Sequence, residues 1–255
     1  MSKTKIEWCD YTINPVKGLC PVACPYCYAR RMYKRFKWDE TIRFDPSVFN
    51  DIPKMKAGRR VFVGSTIELF GEWIDPAWMM LTFERVRAHP ELTFIFLTKQ
   101  PHNLTQWSPF PDNCWVGVSV TANGDLPLAY YGLNDVQAGE RFISFEPLHG
   151  KIGFNDQVSM KGWVDWVIIG AQTPYSPKTV PRIEWVREIV DAADWAEIPV
   201  FLKDNLANVV LGNKTPSTAE PKYIHKDGGW YTLRQESPAK KLPEKQGVVY
   251  LQSQV

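Results

Sequence analysis

The chain has 255 residues, 44% of them hydrophobic, and a net charge of +2, enough material for one large α/β domain or two small ones with a sizeable core. A charge so near zero excludes a protein that binds nucleic acid through overall positive charge, and no apolar run approaches the ~20 residues of a membrane helix, so no membrane partner is expected. The opening segment Met1-Ser2-Lys3-Thr4-Lys5-Ile6-Glu7 lacks the apolar stretch of an export signal, so a cytoplasmic, reducing location is expected.

Strand and helix signals alternate along the chain. A short strand is expected at 11–14, then a cysteine-rich loop at 18–28, then a helix over 29–37 bearing Arg30, Arg31, Lys34, Arg35 and Lys37. Residues 60–64 read as a strand ending in the turn Gly64-Ser65-Thr66. Asp75-Pro76 marks a helix start, an N-cap acid with proline at the first helical position, and Met79, Met80, Phe83 and Val86 follow at helical spacing. Further strands are expected at 93–98, 115–120, 141–145, 164–169 and 199–202. Several are apolar on consecutive residues, as in parallel strands buried on both faces. Ile183, Val186, Ile189, Val190 and Ala193 mark an amphipathic helix before the last strand. Seven strand candidates in βα alternation predict a complete or partial TIM-like barrel or a doubly wound sheet. The tail from residue 220 lacks helical period and is rich in Lys, Gly and Pro. The expected organisation is therefore a main domain over 1–219 and a small β-containing appendage or lid over 220–255, with Trp230 and Tyr231 beside Gly228-Gly229 as candidate base-stacking residues.

In parallel α/β folds, function collects at the carboxyl ends of strands. Here those ends are polar or small: Gly64-Ser65-Thr66 with Glu68 after it, Thr98-Lys99-Gln100, Ser119 with Thr121 and Asn123, Ser144-Phe145-Glu146-Pro147, Gly170-Ala171-Gln172-Thr173 and Lys203-Asp204-Asn205. Together they predict a ring of hydrogen-bonding groups around one mouth. Lys203 and Glu146 also suit a purely structural ion pair.

The most informative stretch is Gly18-Leu19-Cys20-Pro21-Val22-Ala23-Cys24-Pro25-Tyr26-Cys27-Tyr28, which reads C-x3-C-x2-C. Thiolates crowded into so short a loop repel one another unless a cation or a cluster takes up their charge. Three ligands rather than four leave one position open, and on an iron–sulfur cluster that is where a substrate or cosubstrate binds. A closed zinc site needs a fourth ligand, and His89, His102, His149 and His225 all lie far off in sequence. An electron-transfer cluster and a zinc-stabilised nucleic-acid-binding module remain as non-enzymatic alternatives on spacing alone.

The cysteine spacing, with an aromatic (Tyr26) before the last cysteine, resembles the radical S-adenosylmethionine (SAM) superfamily. That resemblance implies a partial (β/α)6 TIM-like barrel with an added strand, a [4Fe–4S] cluster on Cys20, Cys24 and Cys27, SAM as cosubstrate, and an external electron donor such as flavodoxin or ferredoxin. It implies roles at the mouth as well. Gly64, Ser65 and Thr66 would contact the methionine amino group. Ser119 would meet the ribose or carboxylate, and Glu146 the ribose hydroxyls or the substrate. Lys99 and Lys203 would neutralise the SAM carboxylate or a substrate phosphate.

Further strings, Ile6-Glu7-Trp8-Cys9-Asp10, Asn14-Pro15-Val16-Lys17-Gly18, Val61-Phe62-Val63-Gly64-Ser65, Phe96-Leu97-Thr98-Lys99, Gly117-Val118-Ser119, Ser144-Phe145-Glu146-Pro147-Leu148 and Trp166-Val167-Ile168-Ile169-Gly170, resemble a phage-encoded family of radical SAM-like proteins formerly of unknown function. The chain departs from that family in having Cys9 where threonine is common and a shorter first cysteine interval. The resemblance implies chemistry on a modified base in phage DNA, a thymine hypermodification: an isomerase moving a glycyl-type thymine substituent from nitrogen to carbon. A lyase similar to spore photoproduct lyase is the alternative, with Cys9, rather than Cys114, as candidate hydrogen donor. Catalytic roles would then fall to Cys9, Glu146 and Lys203, and phosphates would meet Arg30, Arg31, Lys34 and Arg35 beside the cluster loop. A base in duplex would have to be flipped out to react.

Overall fold

The computed structural model describes residues 2–154, 159–174, 176–212, 219–227 and 230–238. Gly228, Gly229, the side chains of Trp230 and Tyr231, and the expected tail from 239 onward lie outside the described residues. The chain divides into two compact units, Met1–Val118 with Tyr131–Arg141, and Ser119–Tyr130 with Phe142–Val255.

The first unit is built on parallel strands. β1 (Ser2–Lys3) runs antiparallel to β2 (Tyr11–Ile13). A small hairpin pairs β3 (Val16–Lys17) with β4 (Arg43–Phe44), and between them lies helix α1 (Tyr28–Phe36). β5 (Arg60–Val63) adds in parallel to β2, β6 (Thr93–Thr98) to β5, and β7 (Cys114–Ser119) to β6. Every residue of β5 and β7 is buried, including Arg60 and Ser119 at their ends, and the apolar runs 61–63 and 114–118 suit strands covered on both faces. Helix α2 (Pro76–Arg87) connects β5 to β6; the Asp75 carboxylate accepts the Ala77 N–H at 2.8 Å, the N-cap expected of Asp-Pro. Met79, Phe83 and Val86 of α2 are buried, whereas Met80, expected on the same stripe, is exposed. Phe83 meets Phe96, Trp107 and Phe110 at centroid distances of 5.5–5.9 Å, an aromatic cluster at the heart of this core.

Helix α3 (Asp125–Leu133) precedes the second parallel set: β8 (Glu140–Phe145), β9 (Trp166–Ile169) beside it, and β10 (Val200–Leu202) beside β9. Helix α4 (Ile183–Trp195) leads into β10, burying Val186, Ile189, Val190 and Ala193 as its spacing predicts. A short helix α5 (Ala207–Leu211) follows. Beyond it, β11 (Ile224–Asp227) and β12 (Trp230–Leu233) form an antiparallel hairpin. Residues after β12 return to β10: the Leu202 N–H donates to Arg234 O at 2.8 Å and the Glu236 N–H to Val200 O at 2.9 Å, covering that strand's edge. The chain is thus α/β, with seven parallel strands among the described residues, four in one set and three in the other. No helix among the described residues is long and apolar enough to cross a membrane.

Candidate functional site

Asn14 follows β2 and organises the turn after β5. Its side-chain oxygen accepts the Ser65 hydroxyl and the Thr66 N–H, both at 3.2 Å. The turn itself requires glycine: Gly64 has φ +80°, and a Cβ there would stand 2.5 Å from Leu69 Cδ1. From the cysteine loop, the Tyr28 hydroxyl donates to Ser65 O at 2.6 Å. The expected Gly64-Ser65-Thr66 segment and the cysteine loop are therefore neighbours.

Within that loop, Cys27 is the N-cap of α1, and its sulfur accepts the Arg30 N–H at 3.4 Å. A thiolate there meets the positive end of the helix dipole. The Cys27 N–H donates to Cys24 O at 3.1 Å, and the Arg30 guanidinium donates to Cys20 O at 2.6 Å. The Cys20 sulfur accepts the Glu68 N–H at 3.5 Å. Burial, the dominant effect, pushes the Cys20 thiol above its ordinary 9.0, and the Glu68 charge adds to it, while hydrogen bonds from the backbone oppose the rise. Tyr26 lies under Lys99, whose ammonium is 5.5 Å from the ring centroid.

Glu68 is marked in the sequence only as one of the polar groups after a strand end, with no part of its own. It is only 8% exposed. Its carboxylate accepts three donors: the Thr98 hydroxyl at 2.7 Å, the Phe70 N–H at 3.0 Å and the Lys99 N–H at 2.8 Å. Desolvation nonetheless outweighs these bonds and raises its pKa above the ordinary 4.5. The available signal was its place four residues beyond a glycine turn at a strand end.

In the second unit, Glu146 after β8 and Lys203 after β10 form an ion pair, the structural alternative weighed for them. Gly170 makes room for it: a Cβ there would lie 2.8 Å from Lys203 Cδ and 3.0 Å from Glu146 Cδ. Next to it, Asn205 brackets Ala171, accepting its N–H at 3.0 Å and donating to its carbonyl at 2.8 Å. His149 and Gln172 pair at 2.9 Å. Ser119 closes β7 and is buried.

Two sulfurs stand apart from the cysteine loop in sequence and are buried: Cys9, 1% exposed, before β2, and Cys114, 0% exposed, as the first residue of β7. Cys9 thus belongs to the amino end of β2, where Asp10 binds the Arg59 side chain and the Arg60 N–H, whereas Asn14 and the Gly64 turn mark the other end. Arg31, Lys34 and Arg35 are exposed on α1, and Arg30 is half-buried against Cys20 O.

Among the described residues, no group of three or more His, Cys, Asp or Glu side chains is drawn together to hold a metal ion. The donor chemistry of the cysteine loop still suits a cluster. Cys20, Cys24 and Cys27 are partly accessible, and two of the three sulfurs already accept backbone N–H groups of the kind that stabilise metal-bound thiolates. Binding would require the Cys20 proton to leave.

Fold and site together define an α/β protein with a three-cysteine loop set at the amino end of its first helix and beside the turn that ends β5. The chain belongs to a family described as protein of unknown function (DUF5131), which it matches over residues 3–223. No curated protein and no solved structure matches it.

Proposed function

We propose that this chain is a radical SAM enzyme that acts on a modified base in phage DNA, isomerising a glycyl-type thymine substituent from N- to C-linkage. One observation carries the reading: a C-x3-C-x2-C loop whose last cysteine caps a helix and whose first cysteine accepts the N–H of a buried glutamate. The βα alternation with seven parallel strands supports the partial (β/α)6 barrel that such enzymes use. In this reading Cys20, Cys24 and Cys27 hold a [4Fe–4S] cluster. A cluster held there and reduced by flavodoxin or ferredoxin would supply reductive cleavage of SAM, and with it a radical able to take a hydrogen atom from the base.

The protein's own groups bind and orient. Backbone groups at Gly64, Ser65 and Thr66 are held in place by Asn14 and Tyr28 and are suited to the amino group of SAM. Lys99, steadied over Tyr26, offers a positive charge to the SAM carboxylate. The resemblance, and not the geometry, assigns Ser119 to the ribose or carboxylate, Glu146 to the ribose hydroxyls or the substrate, and Lys203 to the SAM carboxylate or a substrate phosphate.

Oxygen-free purification and reconstitution test the assignment. The expected product is a brown protein with about four irons per chain that cleaves SAM to 5′-deoxyadenosine, with both properties lost in Cys24→Ala. A colourless, iron-poor but folded chain overturns it. The substrate is tested with DNA deuterated at the glycyl carbon, which should pass label into 5′-deoxyadenosine; unlabelled nucleoside refutes DNA chemistry at that carbon.

A further inference from the structure

Helix α1 carries a charge pattern that its own stability favours only in the last turn, where Lys34 and Arg35 suit the negative end of the dipole. Tyr28–Phe36 contains no acid, and with Lys37 the segment bears five cations, Arg30, Arg31, Lys34, Arg35 and Lys37. Arg30–Lys34 and Arg31–Arg35 set like charges at i,i+4, an unfavourable spacing. Arg30 and Arg31 also sit in the first turn, at the positive end of the dipole. Such a pattern points to a negatively charged partner.

At the end of this helix the chain exposes two large rings. Phe36 is 52% and Trp38 43% exposed, and the two stack at a centroid distance of 5.5 Å and an interplanar angle of 22°. The arrangement is held by design of the backbone. Lys37 adopts the left-handed conformation at φ 50°, which turns Trp38 back so that its N–H bonds to Tyr33 O at 3.2 Å. Tyr33 then meets the Trp38 ring edge-on at 5.3 Å, and its hydroxyl accepts the Gly18 N–H at 2.8 Å, two residues before Cys20. The Arg35 guanidinium lies 5.3 Å over Phe36. The acid that follows, Asp39, is engaged with Arg43 and the Thr41 N–H.

We propose that the Phe36–Trp38 stack and its surrounding cations form a binding surface for single-stranded nucleic acid, with bases stacking on the rings and phosphates meeting Arg31, Lys34, Arg35 and Lys37. Flat aromatic surface beside fixed cations is what an unpaired strand recognises, since every base has a π face and every linkage a negative charge. A membrane fits less well. Ala29 and Tyr33 are buried, so the exposed rings at the end of the helix stand without a continuous apolar stripe along it to enter lipid. The surface deepens the DNA side of the function proposed above, resting on it for the identity of the partner, and it is independent of the iron–sulfur side.

The test is fluorescence anisotropy of a labelled oligothymidylate of about ten nucleotides with the full-length chain, both iron-free and reconstituted. Phe36→Ala and Trp38→Ala should each weaken binding roughly ten-fold. The pair Lys34→Ala/Arg35→Ala should lower the slope of log K against log salt by about 1.4. Unchanged circular dichroism and melting show that these exposed substitutions leave the fold intact. Binding that ignores the aromatic substitutions, or that does not respond to salt, overturns the proposal. So does a parent chain that fails to bind the oligonucleotide but binds phosphatidylserine vesicles. A parent chain that cleaves SAM but does not bind the oligonucleotide would sink this surface alone, while binding by a chain that takes up no iron would sink the cluster alone.

Discussion

Substituting Glu68 separates its structural part from its electrostatic effect on the cysteine loop. The buried carboxylate satisfies three donors, the Thr98 hydroxyl and the N–H groups of Phe70 and Lys99. Glu68→Ala strands all of them, and at about 1–3 kcal/mol for each buried unsatisfied donor the loss rivals the ~5–15 kcal/mol that holds a whole domain folded. Glu68→Gln is therefore the informative variant. Its amide oxygen keeps the Thr98 and Phe70 bonds, but its NH2 faces the Lys99 N–H, costing about 1–3 kcal/mol. The penalty should depend on pH. Folding raises the Glu68 pKa above its ordinary 4.5 because burial disfavours the charge. The folded chain therefore holds that proton more tightly than the unfolded one. The resulting stability is complete below 4.5 and is lost as pH rises through the folded value. Glutamine has no such term, so the gap between parent and variant should narrow from about pH 5 to about pH 8 in urea denaturation. The same variant should make the Cys20 thiol more acidic, since the Glu68 charge helps to raise it. Iodoacetamide should then label Cys20 faster at a given pH, read by mass spectrometry on iron-free protein. A Gln variant that is as stable as the parent at both pH values, with unaltered Cys20 labelling, would refute this account of the network.

Three further outcomes follow from particular contacts. Gly170→Ala should cost about 1–3 kcal/mol, because the new methyl collides with the Glu146–Lys203 pair; an unchanged melting temperature would show that the pair yields without cost. In the folded iron-free protein, alkylation should reach Cys20, Cys24 and Cys27 but spare Cys9 and Cys114 until denaturant is added. Burial also drives the Cys114 thiol far above its ordinary 9.0, so equal labelling rates for all five would contradict the packing. Asp45 is held at about 2 rather than 3.8 by Lys17 first and Ser47 second. Its ionised form should therefore add about 1 kcal/mol above its ordinary value, after screening of a partly exposed pair, and that amount should vanish as pH falls through about 2. Asp45→Asn should flatten the acid limb of the stability curve, and an acid limb identical to the parent's would remove the ion pair from the account.

What could be read from the sequence was what neighbouring residues decide among themselves. Residues 93–98 were expected as a strand and form one over the same span, because Thr93–Thr98 is an apolar, β-branched and aromatic run. The α2 start was legible in Asp75-Pro76 alone, since N-cap and first-turn proline act over two residues. The hairpin of Val16–Lys17 with Arg43–Phe44 was not, since it joins two-residue strands across the whole of α1. Helix α3 is hidden for a different reason: DLPLAYYGL carries Pro127 and Gly132, and its exposed Leu128, Tyr130 and Tyr131 blur the buried stripe of Leu126, Ala129 and Leu133.

The site divides along the same line. Cys20, Cys24 and Cys27 announce themselves because their spacing is the signal, and Gly64-Ser65-Thr66 because a glycine turn ends a strand. The bonding of Glu68, though the residue itself is named at its strand end, stays silent: two of its three donors are backbone N–H groups, one of them on Lys99, and any residue but proline at those positions would supply them. Gly170 is silent likewise, since its missing side chain is explained only by two residues from other strand ends that meet above it. Sequence therefore exposes groups whose chemistry is their own. Groups that matter by satisfying or accommodating others become visible only when the chain has folded around them. Trp38 belongs to that second kind, an aromatic of no evident role in the sequence that a left-handed Lys37 turns back onto Phe36.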